Sequence, residues 1–172
     1  DSLYKTAMIE TSGKIGIGIQ MFDRQDYSYS RNGVYSTKVF VNGKIISHYK
    51  FDKLVINESK KLYQVIDYKN YIQKRLKIFK LFYKSGNKLN FMNTLVDQGI
   101  FKVELGKSYQ IIIEIEDFSG NKSTIEGFIE GTENKIKPVE LRGRLIKTDR
   151  EYSFTFKNKE LFFPSKTFFN DV

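Results

Sequence analysis

The sequence contains no cysteine, no tryptophan, two prolines and a single histidine, His48. Without cysteine the chain cannot form disulfides, thiolate zinc or iron–sulfur sites, or a cysteine nucleophile. The scarcity of proline and the absence of a Ser- or Gln-rich tract argue against disorder, because 40% of the residues are hydrophobic and can build a core. We therefore expect a folded chain.

Long apolar runs are also missing: none approaches the roughly 18 residues that a membrane-spanning helix requires. The sequence begins at Asp1 without a methionine and carries no signal peptide. This beginning is consistent with a mature or excised part of an exported protein, so the missing signal does not argue against export.

Positive charge is abundant and unevenly distributed, with a net charge of +9. Residues 54–84 hold seven lysines and one arginine against only Glu58 and Asp67. A solvated lysine surface is the simplest interpretation, and a binding surface for an anionic partner is the alternative.

The stretch "SGKIGIGIQ" concentrates glycine near the start of the chain, as phosphate-binding loops do. Met21 occupies the third glycine position of a dinucleotide fingerprint, and Gly13-Lys14 has neither the glycine before it nor the Ser/Thr after it of a P-loop. Isoleucines at 15, 17 and 19 alternate strictly with other residues, which predicts a strand over 14–22. Glycines on its other face leave room for a closely packed element, and the predicted helix 67–83 is the leading candidate.

Turn signals separate the predicted strands. Asn42-Gly43 between two β-rich runs predicts a tight hairpin. A second hairpin turn is predicted around Asp117, Gly120 and Asn121, and Asp23 ends a strand before a polar loop. Asp23 and Asp117 could instead share a calcium ion, but no calcium-loop spacing is present, so turn capping is favoured and no metal or other cofactor is predicted.

An amphipathic helix is predicted over 67–83, with Asp67 as its N-cap. Its apolar stripe, spaced by three or four residues and expected to face the core, comprises Tyr68, Ile72, Leu76, Phe79 and Tyr83. Its basic outer face supplies the candidate binding residues Lys69, Lys74, Arg75, Lys77 and Lys80. Because the aromatic residues follow the stripe and do not alternate with the cations, nucleic-acid binding is not expected.

Seven or eight short strands joined by turns predict an all-β fold, an Ig-like or fibronectin-like β-sandwich with one amphipathic helical insertion. We assign residues 1–131 to the sandwich, 54–84 to its insertion and 132–138 to a linker. Residues 139–172 are too few for an independent core and form a partial second β module.

Five stretches together resemble a known non-catalytic region: "GKIGIGIQMFDR", "NGVYSTKVFVNGK", "IDYKNYIQKRLKIFKLFYKSGNKLNFM", "NTLVDQGIF" and "YQIIIEIEDFSGNKS". They resemble the Ig-like region that follows the peptidase domain in envelope proteins of the lysostaphin/LytM-type zinc metallopeptidase family. The resemblance covers residues 4–130 and implies an exported protein, periplasmic or associated with the outer membrane.

The zinc of that peptidase family is held by two histidines and an aspartate, with a further histidine nearby. A chain whose only histidine is His48 cannot supply this set, so no catalytic residue is assigned and His48 is expected to be structural. The expected function is a non-catalytic accessory module that positions or docks an envelope peptidase, with protein partners in the bacterial envelope. The alternatives are a binding module for anionic glycan or lipid through the basic helix, with peptidoglycan or a lipid surface as partner, and a structural subunit of an envelope or secretion assembly.

Overall fold

The computed structural model describes residues 2–24, 31–52, 64–83, 91–133 and 145–168. Of the side chains, those of 23, 24, 31, 32 and 92–95 are not described. The chain divides into two compact units, Asp1–Lys135 and Ile136–Val172. Of the predicted linker 132–138, residues 134–138 lie outside the described part of the chain.

The first unit is built mainly of short strands, with one α-helix among its described residues. Its strands are β1 (Ser2–Lys5), β2 (Ile9–Thr11), β3 (Gly13–Gly16), β4 (Gly18–Ile19), β5 (Asp23–Arg24), β6 (Arg31–Asn32), β7 (Ser36–Val41) and β8 (Lys44–Lys50), then, after helix α1 (Tyr68–Lys74), β9 (Phe79–Lys80), β10 (Met92–Leu95), β11 (Ile100–Val103), β12 (Ser108–Glu116) and β13 (Lys122–Gly131). The protein is thus mainly β.

Seven strands form one sheet in the order β1-β13-β12-β7-β8-β10, with β2 also paired to β13. The pairs β12–β13, β7–β12, β7–β8 and β8–β10 are antiparallel, whereas β1 and β2 run parallel to β13. The long central strands place Ile113 opposite Val39 on one side and Ile125 on the other.

The turn between β7 and β8 consists of Asn42 and Gly43, both with positive φ, 48° and 76°. Such mirror-image turns match the right-handed twist of the flanking strands, and asparagine and glycine tolerate them best. The Asn42 side chain also joins the hairpin to β12, since its Oδ1 accepts from the Gln110 N–H at 2.8 Å.

The core lies against one face of this sheet. Alternation along β12 buries Ile111 and Ile113 and exposes Glu114, as expected for a strand with one covered face. The buried cluster comprises Val39, Val41, Ile46, Tyr49, Val65, Leu81, Phe91, Val103, Ile111, Ile113 and Ile129. Ile15, Ile17, Ile19 and Met21 pack against it, so these alternate residues of the predicted strand 14–22 face the core.

The single strand predicted over 14–22 is interrupted. β3 pairs with β11, and β4 pairs with β9, so the strand changes partners near Ile17. A Cβ at Gly16 would overlap the Phe82 ring, and one at Gly18 would lie 3.0 Å from Ile78 Cγ2. The glycines therefore admit residues of the predicted segment 67–83, but residues 78–82 are not helical.

The predicted helix 67–83 is wrong in extent. Helix α1 covers only Tyr68–Lys74, and Phe79–Lys80 is a strand. The physical reason is competition: residues 79–81 satisfy backbone hydrogen bonds by pairing with residues 17–19, including Leu81 N–H to Ile17 O at 2.8 Å. Residues 54–63 and 84 of the predicted insertion lie outside the described part.

In the second unit, β14 (Tyr152–Phe156) and β15 (Lys159–Phe163) form an antiparallel hairpin. An aromatic cluster lies along it: the rings of Tyr152 and Phe154 stack with centroids 6.1 Å apart, and Phe163 contacts Phe154 and Phe168. The assignment of residues 139–172 to a partial second β module stays a prediction.

Candidate functional site: an exposed basic loop

Residues 67–78 form a loop that is closed at its base, here called the helical loop. Ile66 and Phe79 form an antiparallel bridge, and the Asp67 N–H donates to the Ile78 carbonyl at 2.9 Å. Phe79 pairs at the same time with Ile19 of β4. The base is therefore anchored to a strand of the core layer, and α1 lies between its two ends.

Asp67 starts the helix, as predicted. Its Oδ1 accepts from the Asn70 N–H at 3.1 Å and its Oδ2 from Asn70 Nδ2 at 2.7 Å. These hydrogen bonds favour the charged carboxylate and hold the pKa of Asp67 below its ordinary value. The only carboxylate of the helical loop is thereby engaged at its base.

Arg75 ends the helix in the left-handed conformation, with φ 57°. Its N–H donates to the Tyr71 carbonyl at 3.0 Å, and the Leu76 N–H approaches the Asn70 carbonyl at 3.4 Å. The chain then returns to the base instead of continuing the helical period, because a residue in this conformation reverses its direction.

The apolar residues of the helical loop are exposed except Ile78 at its base, which is partly buried. Tyr68 is 67% exposed, Ile72 48% and Leu76 36%, and Tyr71 is exposed as well; α1 buries none of its residues. The predicted core-facing stripe is therefore wrong for Tyr68, Ile72 and Leu76, whereas its other two members, Phe79 and Tyr83, pack against the core. Leu81, which lies off that stripe, is instead buried at 1% exposure.

Cations flank these apolar side chains. At 3.6 residues per turn, Tyr68, Tyr71 and Ile72 share one side of α1, and Lys69 and Lys74 lie on either flank. The Arg75 guanidinium lies 6.0 Å from the centroid of the Tyr71 ring. Just beyond the helix, Lys77 Nζ lies 5.5 Å from that of Phe79. Aromatic and cationic groups thus share one surface, contrary to the separation assumed from the sequence.

Lys80 stands apart from the other four predicted binding residues. It belongs to β9 opposite Gly18, is only partly exposed, and its backbone carbonyl accepts from the Tyr49 hydroxyl at 2.5 Å. Tyr49 is buried, and burial raises the pKa of its hydroxyl. The structure therefore brings together Lys69, Lys74, Arg75 and Lys77, and leaves Lys80 in the packed layer.

The predicted turn residues occupy hairpin ends. Asp117 Oδ1 accepts from the backbone N–H groups of Ser119 and Asn121 at 2.8 and 2.9 Å, and Oδ2 accepts from Asn121 Nδ2. Hydrogen bonding to Asn121, above all, lowers the pKa of Asp117. Gly120 adopts φ +87° in the same turn. Asp23, by contrast, does not end a strand as predicted, because it begins β5 opposite Asn32; its side chain is outside the described part.

His48 lies on β8 and is bonded within the sheet, with Nε2 3.2 Å from Ser36 Oγ. Partial burial, followed by the positive charges of Lys38 and Lys50, lowers its pKa. Asp52 accepts from the Tyr35 hydroxyl at 2.5 Å and lies 3.0 Å from Lys50 Nζ.

Among the described residues, no group of three or more His, Asp or Glu side chains is arranged to hold a metal ion. No helix in the same part of the chain has the length and apolar character needed to cross a membrane. Comparison with known proteins gives no match to a family model, to a curated protein or to a solved structure. Function must therefore be argued from the geometry.

Proposed function

We propose that this chain is a non-catalytic accessory module of an exported cell-envelope protein, which attaches to an anionic membrane surface through the helical loop. The observation that carries the proposal is the exposure of Tyr68, Ile72 and Leu76 beside the cations of the same loop. Interfacial helices combine these parts: apolar side chains enter the headgroup boundary, and Lys or Arg side chains meet anionic lipid.

Exposed aliphatic side chains favour lipid over a soluble polyanion. Ile72 and Leu76 gain free energy only by leaving water, which acyl chains allow and a hydrated glycan does not. Tyrosine suits the interface because its ring is apolar and its hydroxyl is polar. Nucleic acid would use the tyrosines and cations but would leave Ile72 and Leu76 in water.

An Ig-like sandwich is the proposed scaffold. Two features support this scaffold. The sheet order β13-β12-β7-β8 matches that of variable-type Ig domains, in which the last two strands of the domain lie beside a hairpin in the middle of the sheet. In addition, the segments 79–81 and 100–103 both pair with the segment 13–19, and the apolar residues of these segments cover the core face of that sheet. Such a scaffold would hold the helical loop away from the core.

The accessory role rests on the resemblance to regions that follow LytM-type peptidase domains and on the single histidine, which cannot form that family's zinc site. Membrane attachment of such a module would keep a peptidase elsewhere in the same protein close to its substrate layer.

Vesicle binding tests the attachment. We expect the chain to sediment with vesicles of phosphatidylglycerol and phosphatidylcholine, more weakly as salt rises, and not with pure phosphatidylcholine. Replacing the four loop cations with glutamine should weaken binding at least about a hundredfold, because each cation contributes on the order of 1 kcal/mol near an anionic surface. The variant combines Lys69→Gln, Lys74→Gln, Arg75→Gln and Lys77→Gln.

A control variant removes the same amount of charge elsewhere, through Lys5→Gln, Lys44→Gln, Lys102→Gln and Lys159→Gln, all at exposed positions. It should retain most of the binding. Ile72→Ser should weaken binding, whereas Leu105→Ser, at another exposed leucine, should not. Equal losses in the two fourfold variants, or tighter binding to single-stranded DNA or soluble glycan than to vesicles, would refute the loop as a lipid site.

The non-catalytic role has its own test. Incubating the chain with purified peptidoglycan and zinc should release no soluble fragments. Reproducible cleavage that scales with protein concentration would refute the accessory role without bearing on membrane attachment.

A further inference from the structure

The strand formed by β3 and β4 is paired along one edge. β11 and β9 lie along this same edge: residues 13–16 pair with 100–103 and residues 18–19 with 79–80. The two partner segments meet, since the Tyr83 N–H donates to the Gln98 carbonyl at 3.0 Å and a Cβ at Gly99 would overlap the Leu81 carbonyl oxygen. The Ile17 carbonyl accepts from the Leu81 N–H at 2.8 Å, so alternation directs the peptide groups of Gly18 to the opposite edge. Within the described residues, no strand pairs with this second edge. It therefore offers backbone donors and acceptors to another chain.

A cavity of about 190 Å³ lies beneath the same edge. It is lined by Ile17 and Ile19 of this strand, by Thr6 and Ile9 from the start of the chain, and by Ile113 and Ile129 of the seven-stranded sheet. No lining residue comes from β9 or β11, which places the cavity on the side of the second edge. Dry cavities of about 150 Å³ lined by aliphatic and aromatic residues bind benzene, so this cavity has room for one apolar side chain.

Lys14 defines the charge that a strand at this edge would meet. It lies directly opposite Lys102 in the β3–β11 pair, and both side chains are exposed. Within the described part of the chain neither lysine forms an ion pair, although the pKa of Glu104, which the hydrogen bond from Lys107 lowers most, is lowered further by the charge of Lys102. Like charges at opposed positions repel each other, whereas an acidic side chain beside them is favourable. A strand added at the second edge would place a residue next to Lys14 on the outer face.

We propose that the second edge of residues 13–19 binds an extended peptide segment of a partner protein. The segment alternates apolar with acidic residues, so that an apolar side chain enters the cavity and an acidic one lies beside Lys14. Backbone pairing supplies part of the affinity, and the cavity and the lysine pair supply selectivity. This site uses none of the cations of the helical loop and does not depend on membrane attachment.

The experiment uses three synthetic seven-residue peptides in which glutamate alternates with valine and isoleucine. One is unmodified, and the other two are N-methylated at the odd or at the even positions. Titration into isotopically labelled protein should shift the amide signal of Gly18 and the methyl signals of Ile17 and Ile19. One methylated peptide should lose at least tenfold in affinity, and the other should bind like the unmodified peptide, because alternate amides face the protein and the solvent.

Protein variants isolate the contribution of charge. Lys14→Glu should weaken peptide binding at least fivefold, whereas Lys44→Glu, the same change at an exposed position of β8, should leave it within twofold. The fourfold glutamine variant of the helical loop should bind the peptide unchanged, which separates this proposal from the lipid site. The fold of each variant is checked by its amide spectrum.

Four results would overturn the proposal. The first is no binding at millimolar peptide, and the second is equal binding of both methylated peptides. The third is a set of shifts confined to the helical loop, which would mean non-specific attraction of acidic peptide to the basic surface. Self-association through residues 13–19, detected by ultracentrifugation together with loss of peptide binding, would assign the edge to a second copy and refute the partner segment.

Discussion

Strand β12 and the segment 67–83 both carry apolar residues at regular spacing, yet these residues differ in burial. In β12 the alternating residues Ile111 and Ile113 are buried. In α1, Tyr68 and Ile72 follow a helical spacing equally well and are exposed. Periodicity thus identifies which side chains share a face, but not what that face contacts.

The difference follows from how each element is held. β12 has strands along both edges, β7 and β13, so its position is set by two backbone ladders and one face must meet the core. The helical loop is held at its base by the Ile66–Phe79 bridge and the Asp67–Ile78 hydrogen bond. Its apolar face lacks a partner within the described residues of this chain, as is typical of a surface that binds another molecule.

The largest expected effect compares two leucines of the segment 67–83. A continuous helix would bury Leu76 and turn Leu81 away from the core, whereas the structure has Leu81 at 1% and Leu76 at 36% exposure. Leu81→Ala should therefore lower the free energy of unfolding by about 2–5 kcal/mol. Leu76→Ala should change it by no more than about 0.5 kcal/mol. Urea denaturation of both variants measures the difference. A larger loss of stability in Leu76→Ala than in Leu81→Ala would instead support the continuous helix.

An intermediate effect is expected at Gly16, where a Cβ would overlap the Phe82 ring. Gly16→Ala should cost about 1–3 kcal/mol of stability, because the ring or the strand must shift. Gly33→Ala is the matched control, since a Cβ there meets no atom within 4 Å. Thermal denaturation of the pair checks the packing of residues 78–82 on the strand. An unchanged denaturation midpoint in Gly16→Ala would contradict this packing.

The smallest expected effect is the dependence of stability on pH. The contributions of the sheet and of the helical loop to stability should be lost in different pH ranges. The pKa of His48 is lowered from 6.5, mainly by burial, so the unfolded state takes up the proton first and stability falls as pH drops below about 6.5. The pKa of Asp67 is lowered from 3.8 by hydrogen bonds from Asn70. Its contribution is complete above 3.8 and is lost as pH falls through the lower pKa of the folded state.

Denaturation midpoints between pH 8 and pH 3 measure both steps. His48→Gln should remove only the step near pH 6.5. The more acidic step also includes Asp117, whose pKa is likewise lowered by the hydrogen bond from Asn121, so Asp67→Asn should reduce only that step without removing it; the helix should persist because asparagine also caps helices well. A single shared step, or an unchanged profile in His48→Gln, would contradict the separate assignment.

Local chemistry made several features predictable. Asn42-Gly43 identifies a tight hairpin because both residues tolerate positive φ. Asp67 identifies a helix start because its carboxylate reaches the Asn70 N–H. The alternation of Ile111 and Ile113 identifies a strand with one buried face. Each of these features depends on residues a few positions apart, which the order of the chain itself places together.

The candidate site was only partly predictable because it depends on pairing between residues that are far apart in the chain. Lys69, Lys74, Arg75 and Lys77 could be selected from their clustering, but Lys80 could be separated from them only through its pairing with Gly18, 62 positions away along the chain. The same pairing converts residues 79–81 from predicted helix to strand and leaves the apolar face of α1 exposed. Sequence alone set the hairpins, the alternating core strand and the basic character of residues 54–84. Long-range backbone pairing set the end of the helix and which apolar residues face water, because hydrogen bonds to a distant strand outweighed a weak local helical preference.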